Sequence, residues 1–188
     1  SQALGDFLVA HPERLTALAP DRAWDAPQEP GAGEALQRAV GDVLGRADPV
    51  DAAPSDSDKG ASQPGDAAVS RATAALRRAY RDRLTAIVAD DLTSADPIEH
   101  VPTVCRRMTE LADAALDAAL LVARAAVGPR ADDVALAVIA MGKTGARELN
   151  YISDVDVVYV VGPAREPQGA QEPISEERLV EVGTHLAT

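Results

Sequence analysis

The chain holds a single cysteine, Cys105, which excludes an internal disulfide and fits a reducing, cytoplasmic setting. Its three histidines, His11, His100 and His185, stand far apart from one another in sequence, and no group of Cys and His has zinc-ligand spacing. Aromatic residues make up only 3% of the chain against 46% hydrophobic residues, much of that alanine, so the expected core is helix-rich and thinly packed rather than a sandwich. No apolar run approaches the roughly 20 residues of a membrane span, and the first residues lack the basic-then-apolar layout of a signal peptide. Positive charge is also scarce: 18 Lys and Arg face 30 Asp and Glu, a net charge of −12. That balance argues against nucleic acid or an anionic membrane as a partner. A nucleotide held through metal ions stays compatible with it.

Periodicity supplies the helices. Ala3, Leu4, Phe7 and Leu8 have helical spacing, and Pro12 closes that run. Residues 20–33 mix Pro, Gly and charge around Trp24, a connection with one aromatic anchor, and a second helix is expected over 34–44. Residues 48–66 carry Pro49, Pro54, Pro64, Gly60 and Gly65 with almost no large apolar side chain. Burial there cannot offset the entropy of ordering, and a disordered insert is expected. Ala72, Leu76, Tyr80, Leu84, Ile87 and Val88 then recur at three- and four-residue steps, predicting a long amphipathic helix ending near Leu92. Pro97 and Pro102 read as breaks. After them Val104, Met108, Leu111, Ala115, Ala119 and Val122 define another long helix, stopped by Gly128 and Pro129.

Beyond Pro129 the pattern changes. Residues 134–140 are continuously apolar and too short for a typical buried helix, so a strand covered on both faces is expected. Residues 155–161, rich in β-branched side chains, read as a second strand. Residues 175–188 read as a helix interrupted by the end of the chain.

The stretch between the two strands carries the chemistry. Gly142 and Gly145, in the turn Met141-Gly142-Lys143-Thr144-Gly145-Ala146, allow backbone N–H groups to approach an anion closely, and a helix start there would favour it. Lys143 adds a positive charge. Asp154 and Asp156 open the second strand, where alternation projects them to one side and Val155 to the other. Two neighbouring carboxylates repel each other unless a hard cation relieves them, and Mg²⁺ is typically held by one or two carboxylates with phosphate oxygens and water. The pattern misses the P-loop, because no Gly lies four residues before the Gly-Lys pair. An Asp-x-Asp alone is a common surface feature. Strand, glycine turn and paired acids together point to a metal-dependent nucleotidyltransferase site.

The run Met141-Gly142-Lys143-Thr144-Gly145-Ala146-Arg147-Glu148-Leu149-Asn150-Tyr151-Ile152-Ser153-Asp154-Val155-Asp156 resembles the signature of the glutamine synthetase adenylyltransferases, usually Gly-Lys-x-Gly-Gly-x-Glu-Leu-Asn-x-x-Ser-Asp-x-Asp. The resemblance extends to Ser1-Gln2-Ala3-Leu4 with His11-Pro12-Glu13, and to Asp90-Asp91-Leu92 at a helix end; residues 48–66 stand outside it. It implies one of two related halves acting on a tyrosine of glutamine synthetase, one attaching AMP from ATP and the other removing it with phosphate to give ADP. Glu148-Leu149-Asn150 is more similar to the removing half, since the transferring half tends to have Gly where Asn150 stands. By the same resemblance Asp154 and Asp156 bind Mg²⁺, or Mn²⁺ in its place. Gly142, Lys143 and Ser153 face phosphate or metal-bound water, with Gly145 in the same turn. Glutamine synthetase is the implied partner, with a PII-type nitrogen signalling protein as a second. Two departures stand out: Ala146 replaces a second Gly, and the family's third carboxylate falls on a later strand that these residues do not include. The 188 residues alone are therefore expected to be inactive.

The fold class expected is α+β: an all-α helical region over 1–128, then the start of a polymerase-β-like, mixed-sheet nucleotidyltransferase domain over 129–188. Two rival functions remain open at this point, adenylyl transfer in place of removal and a non-catalytic helical docking module. Other conspicuous residues receive plainer readings. The three histidines are given no role, Cys105 is a small core residue, and Arg77, Arg78, Arg81 and Arg83 form a solvated helix face, docking of an acidic partner being the minority reading. Arg147 and Glu148 either pair with neighbours or meet substrate.

Overall fold

The computed structural model describes residues 2–18, 31–45, 65–165 and 174–187. The architecture is α+β. Helix α1 (Gln2–Ala10) and a 3-10 stretch (Pro12–Leu18) precede α2 (Ala32–Leu44), and the long helices α3 (Asp66–Thr93) and α4 (Pro97–Val127) follow. A 3-10 segment (Gly128–Asp133) leads into strand β1 (Val134–Ala140), the single turn α5 (Gly142–Gly145), strand β2 (Val157–Pro163) and helix α6 (Glu176–Ala187). Trp24 lies outside the described residues, and of the expected insert only Gly65 and Asp66 lie within them, at the start of α3.

Helices α2, α3 and α4 share one core because each carries an apolar stripe at three- and four-residue steps. Leu36 and Val40 of α2, Ala72 and Ile87 of α3, and Val104, Met108, Leu111 and Ala118 of α4 are buried together. Alanine at Ala72, Ala112, Ala114 and Ala118 lets helix backbones approach closely, which is how a chain poor in aromatics fills this core. Near the α3–α4 junction, Asp90 of α3 accepts from Arg107 and lies 3.0 Å from Nε2 of His100, so the two helices run antiparallel.

Helix α4 begins earlier than the prolines suggested. Asp96 caps it, its carboxylate accepting from the Glu99 N–H at 3.1 Å, and Pro97 occupies the first turn, where no N–H is needed. Pro102 does not break the helix but lies inside it. Its ring deprives only the Ile98 carbonyl of a partner, and Ile98 and Pro102 are both exposed, so water can take that place.

Strands β1 and β2 pair antiparallel, from Val134 opposite Pro163 to Ala140 opposite Val157. One face packs on α4 and α6: Ala131, Val134, Val182 and Leu186 form a second core, with Leu120, Leu136, Val161 and Leu179 against it. Helix α6 comes close enough that a Cβ on Gly183 would stand 2.3 Å from Cγ1 of Val161. The expectation that β1 is covered on both faces is not met. Ala135, Ala137 and Ile139 are exposed, as are Val158 and Val160 opposite the last two. A continuous apolar sequence fixes what a strand can bury, while coverage depends on which elements reach each side.

Candidate functional site

The site loop joins the two strands. The Met141 N–H donates to the Asp156 carbonyl at 2.9 Å, carrying the pairing one step past β1 and tying the glycine turn to the acidic segment. Within the turn, the Gly145 N–H donates to the Met141 carbonyl and the Ala146 N–H to the Gly142 carbonyl, each at 3.0 Å. Gly142 adopts φ +52°, a left-handed conformation that favours glycine. Gly145 lies so close to β1 that a Cβ there would stand 2.7 Å from the Ala140 carbonyl oxygen. Gly145 is thus demanded by close backbone contact, and Gly142 is favoured by its conformation. Arg147 also has positive φ, +60°, which costs a non-glycine residue about 1 kcal/mol.

The segment after the turn is tied down by polar and apolar contacts. The Glu148 N–H donates to the Lys143 carbonyl at 2.8 Å. Leu149 is only 3% exposed and belongs to the core of α2, α3 and α4. Asn150 Oδ1 accepts from the Ile152 N–H at 3.1 Å and from the Ser153 hydroxyl at 2.9 Å, an Asx turn. The Tyr151 hydroxyl donates to Asp91 Oδ2 at 2.8 Å, across 60 residues of sequence. Burial, then this bond and the charge of Asp91, push the Tyr151 phenol well above its usual range, so it remains a donor.

Strand β2 starts at Val157, two residues later than expected. Asp154 and Asp156 therefore do not open the ladder but occupy the segment just before it, and both are exposed. Ladder alternation does not fix their directions. What does place Asp156 is the glycine turn: its Oδ2 lies 3.1 Å from the point where a Gly142 Cβ would be. A carboxylate rests over a residue without a side chain, in a spot open to solvent. Val155, between the two acids, lines an apolar groove of about 560 Å³ with Tyr80, Leu84, Ala115 and Leu116.

Among the described residues no group of three or more His, Cys, Asp or Glu could hold a metal ion. Exposed carboxylates such as Asp154 and Asp156 are the donor type a hard cation takes, one or two at a time, with phosphate oxygens and water completing its shell. The space over Gly142, which a Cβ would narrow, leaves Asp156 accessible for that purpose.

The other predicted residues fall as follows. Lys143 and Gly145 are exposed in the turn, and Ser153 is half-buried with its hydroxyl proton given to Asn150. The expected helix start at the turn is a single four-residue turn, too short for an appreciable helix dipole. Arg147 has its guanidinium 4.0 Å from Glu110, an exposed pair. His11 lies beside Glu13 and the Phe7 ring, and His185 is bonded to the Glu181 carbonyl. Cys105 is half-buried. Sequence reasoning missed Tyr151 with Asp91, and Thr144, whose hydroxyl is buried without a partner. Thr144 gave no periodic or motif signal. Asp91 was visible only within the resemblance, as part of Asp90-Asp91-Leu92.

Strand, glycine turn and an acidic segment over the turn, backed by a helical layer, make this an α+β chain. The sequence profile of the glutamate-ammonia ligase adenylyltransferase family matches residues 11–187, and the chain belongs to that family. It is similar to proteins named bifunctional glutamine synthetase adenylyltransferase/adenylyl-removing enzyme. That from Corynebacterium glutamicum is 43% identical over 184 residues, covering 87% of this chain and 17% of the relative. The Mycolicibacterium smegmatis relative is 44% identical over 163 residues, 85% of this chain and 14% of the relative. The relative from Bifidobacterium longum is 42% identical over 120 residues, 64% and 10% respectively. The chain thus spans at most about a sixth of the length of these relatives. No solved structure gives a significant match.

Proposed function

We propose that the protein containing this chain removes AMP from an adenylylated tyrosine of glutamine synthetase, with inorganic phosphate as acceptor and ADP as product. The observation that carries this reading is the Asp156 carboxylate over Gly142, joined to it by the Met141–Asp156 backbone bond. Asp154 and Asp156 would hold Mg²⁺ or Mn²⁺, which when bound neutralises charge on the phosphates. Gly142 and Gly145 keep side chains away from the turn, so that phosphate can reach backbone and cation together, and exposed Lys143 adds a compensating charge.

In the reaction an oxygen of inorganic phosphate forms a bond to the α-phosphorus of AMP. The bond from that phosphorus to the tyrosine oxygen breaks, and the phenol regains a proton. The chemistry requires no side-chain nucleophile, so the chain contributes positioning and charge. Ser153 holds the loop through Asn150, its hydroxyl donating to Oδ1 and accepting from the N–H, and in this reading it would face phosphate or metal-bound water. Glutamine synthetase is the partner this reading requires, and a PII-type protein is the proposed source of regulation.

The test is the full-length enzyme incubated with adenylylated glutamine synthetase and phosphate while ADP is followed. Asp154→Asn and Asp156→Asn should each lower ADP release on the order of 100-fold or more. Undiminished release in both variants would sink the assignment. AMP label moving from ATP onto unmodified glutamine synthetase, and lost with the same substitutions, would reverse the direction proposed for this site.

A further inference from the structure

Two independent anchors hold the acidic segment, one from each layer. Asp156 is tied to the sheet, through the Met141 N–H at the end of β1. Upstream of Asp154 the chain is tied to the helices: Leu149 is buried in their core, and the Tyr151 hydroxyl donates to Asp91 at 2.8 Å. Asp91 itself lies in a braced region, since the neighbouring Asp90 is held by Arg107 and His100 of α4. Between Tyr151 and Asp154 the Asx turn of Asn150 and Ser153 leaves little slack.

We propose that Tyr151 and Asp91 are positioning residues, a latch that sets Asp154 relative to Asp156 by tying the first acid to the helical layer while β1 ties the second. This rests on reading both acids as cation ligands. The phenol's raised pKa is consistent with a donor that persists at neutral pH. Neither residue touches the reacting atoms, and their effect runs through the separation of the two carboxylates.

The test uses the full-length enzyme and Mn²⁺ alone. Hydrogen exchange of the peptide spanning 147–156 reports the latch, and the slowing of that exchange as Mn²⁺ is added reports the Mn²⁺ midpoint. Tyr151→Phe and Asp91→Ala should each speed exchange of that peptide and raise the Mn²⁺ midpoint on the order of threefold to tenfold. Asp91→Asn keeps a carbonyl acceptor for the phenol and should restore both. The double variant Tyr151→Phe with Asp91→Ala should be no worse than either single change. Unchanged exchange in Tyr151→Phe overturns the latch. Faster exchange with an unchanged midpoint overturns it as a positioning device, leaving a merely structural tie. Asp154→Asn and Asp156→Asn are the controls: if wild type responds to Mn²⁺ no differently from them, the cation reading itself fails, and the latch with it.

Discussion

Gly142 and Gly145 show two different demands on the same residue type. At Gly145 the obstacle is contact: a methyl would press on the Ala140 carbonyl at 2.7 Å, and backbone cannot swing aside. Gly145→Ala should destabilise the chain by about 1–3 kcal/mol, read as a lower urea midpoint. At Gly142 the demand is conformational, φ +52°, and an alanine there would cost about 1–2 kcal/mol while crowding Asp156. Asp82 illustrates a third kind of constraint. Its Oδ2 pairs with Arg14 at 3.1 Å, yet Oδ1 is buried without a partner. Burial outweighs Arg14 and raises the carboxyl pKa. A group raised on folding contributes stability that is fully present below its unfolded pKa and is lost as pH climbs through the folded value. Asp82→Asn should therefore gain on wild type between about pH 4 and pH 7; urea midpoints measured at both ends check the sign.

At the scale of elements, the helices were the most legible part of the sequence. The steps Ala72, Leu76, Tyr80, Leu84 and Val104, Met108, Leu111 mark faces that do meet in one core. Pro102 was misread because a proline is a local signal, whereas its cost depends on whether the carbonyl one turn earlier is buried or wet. The real start signal was Asp96 with Pro97, and Asp96→Ala should cost about 1 kcal/mol, measurable as a lower melting temperature. The strand pair was legible, but not its start or its coverage. Val155 and Asp156 look like strand residues until the ladder ends at the Ala140–Val157 pair. The candidate site's residue types were read from the motif. Its attachment through Tyr151 to Asp91 was not, because a bond spanning 60 residues leaves no periodic trace.

On the scale of the whole molecule, α4 serves both cores, with Val122 in the first and Leu120, Ala123 and Val127 against the second. Leu149 carries the site loop into the first of them. Leu149→Ala should cost about 2–5 kcal/mol, visible in urea unfolding, and should loosen the acidic segment along with the helices. Among the described residues a wall of Ala137, Ile139, Val158 and Val160 meanwhile faces water on the paired strands. Mutual repulsion from a net charge of −12 holds copies of the chain apart, and salt weakens that repulsion without wetting the wall. Concentrated preparations should turn cloudy as sodium chloride is added, starting from these strands.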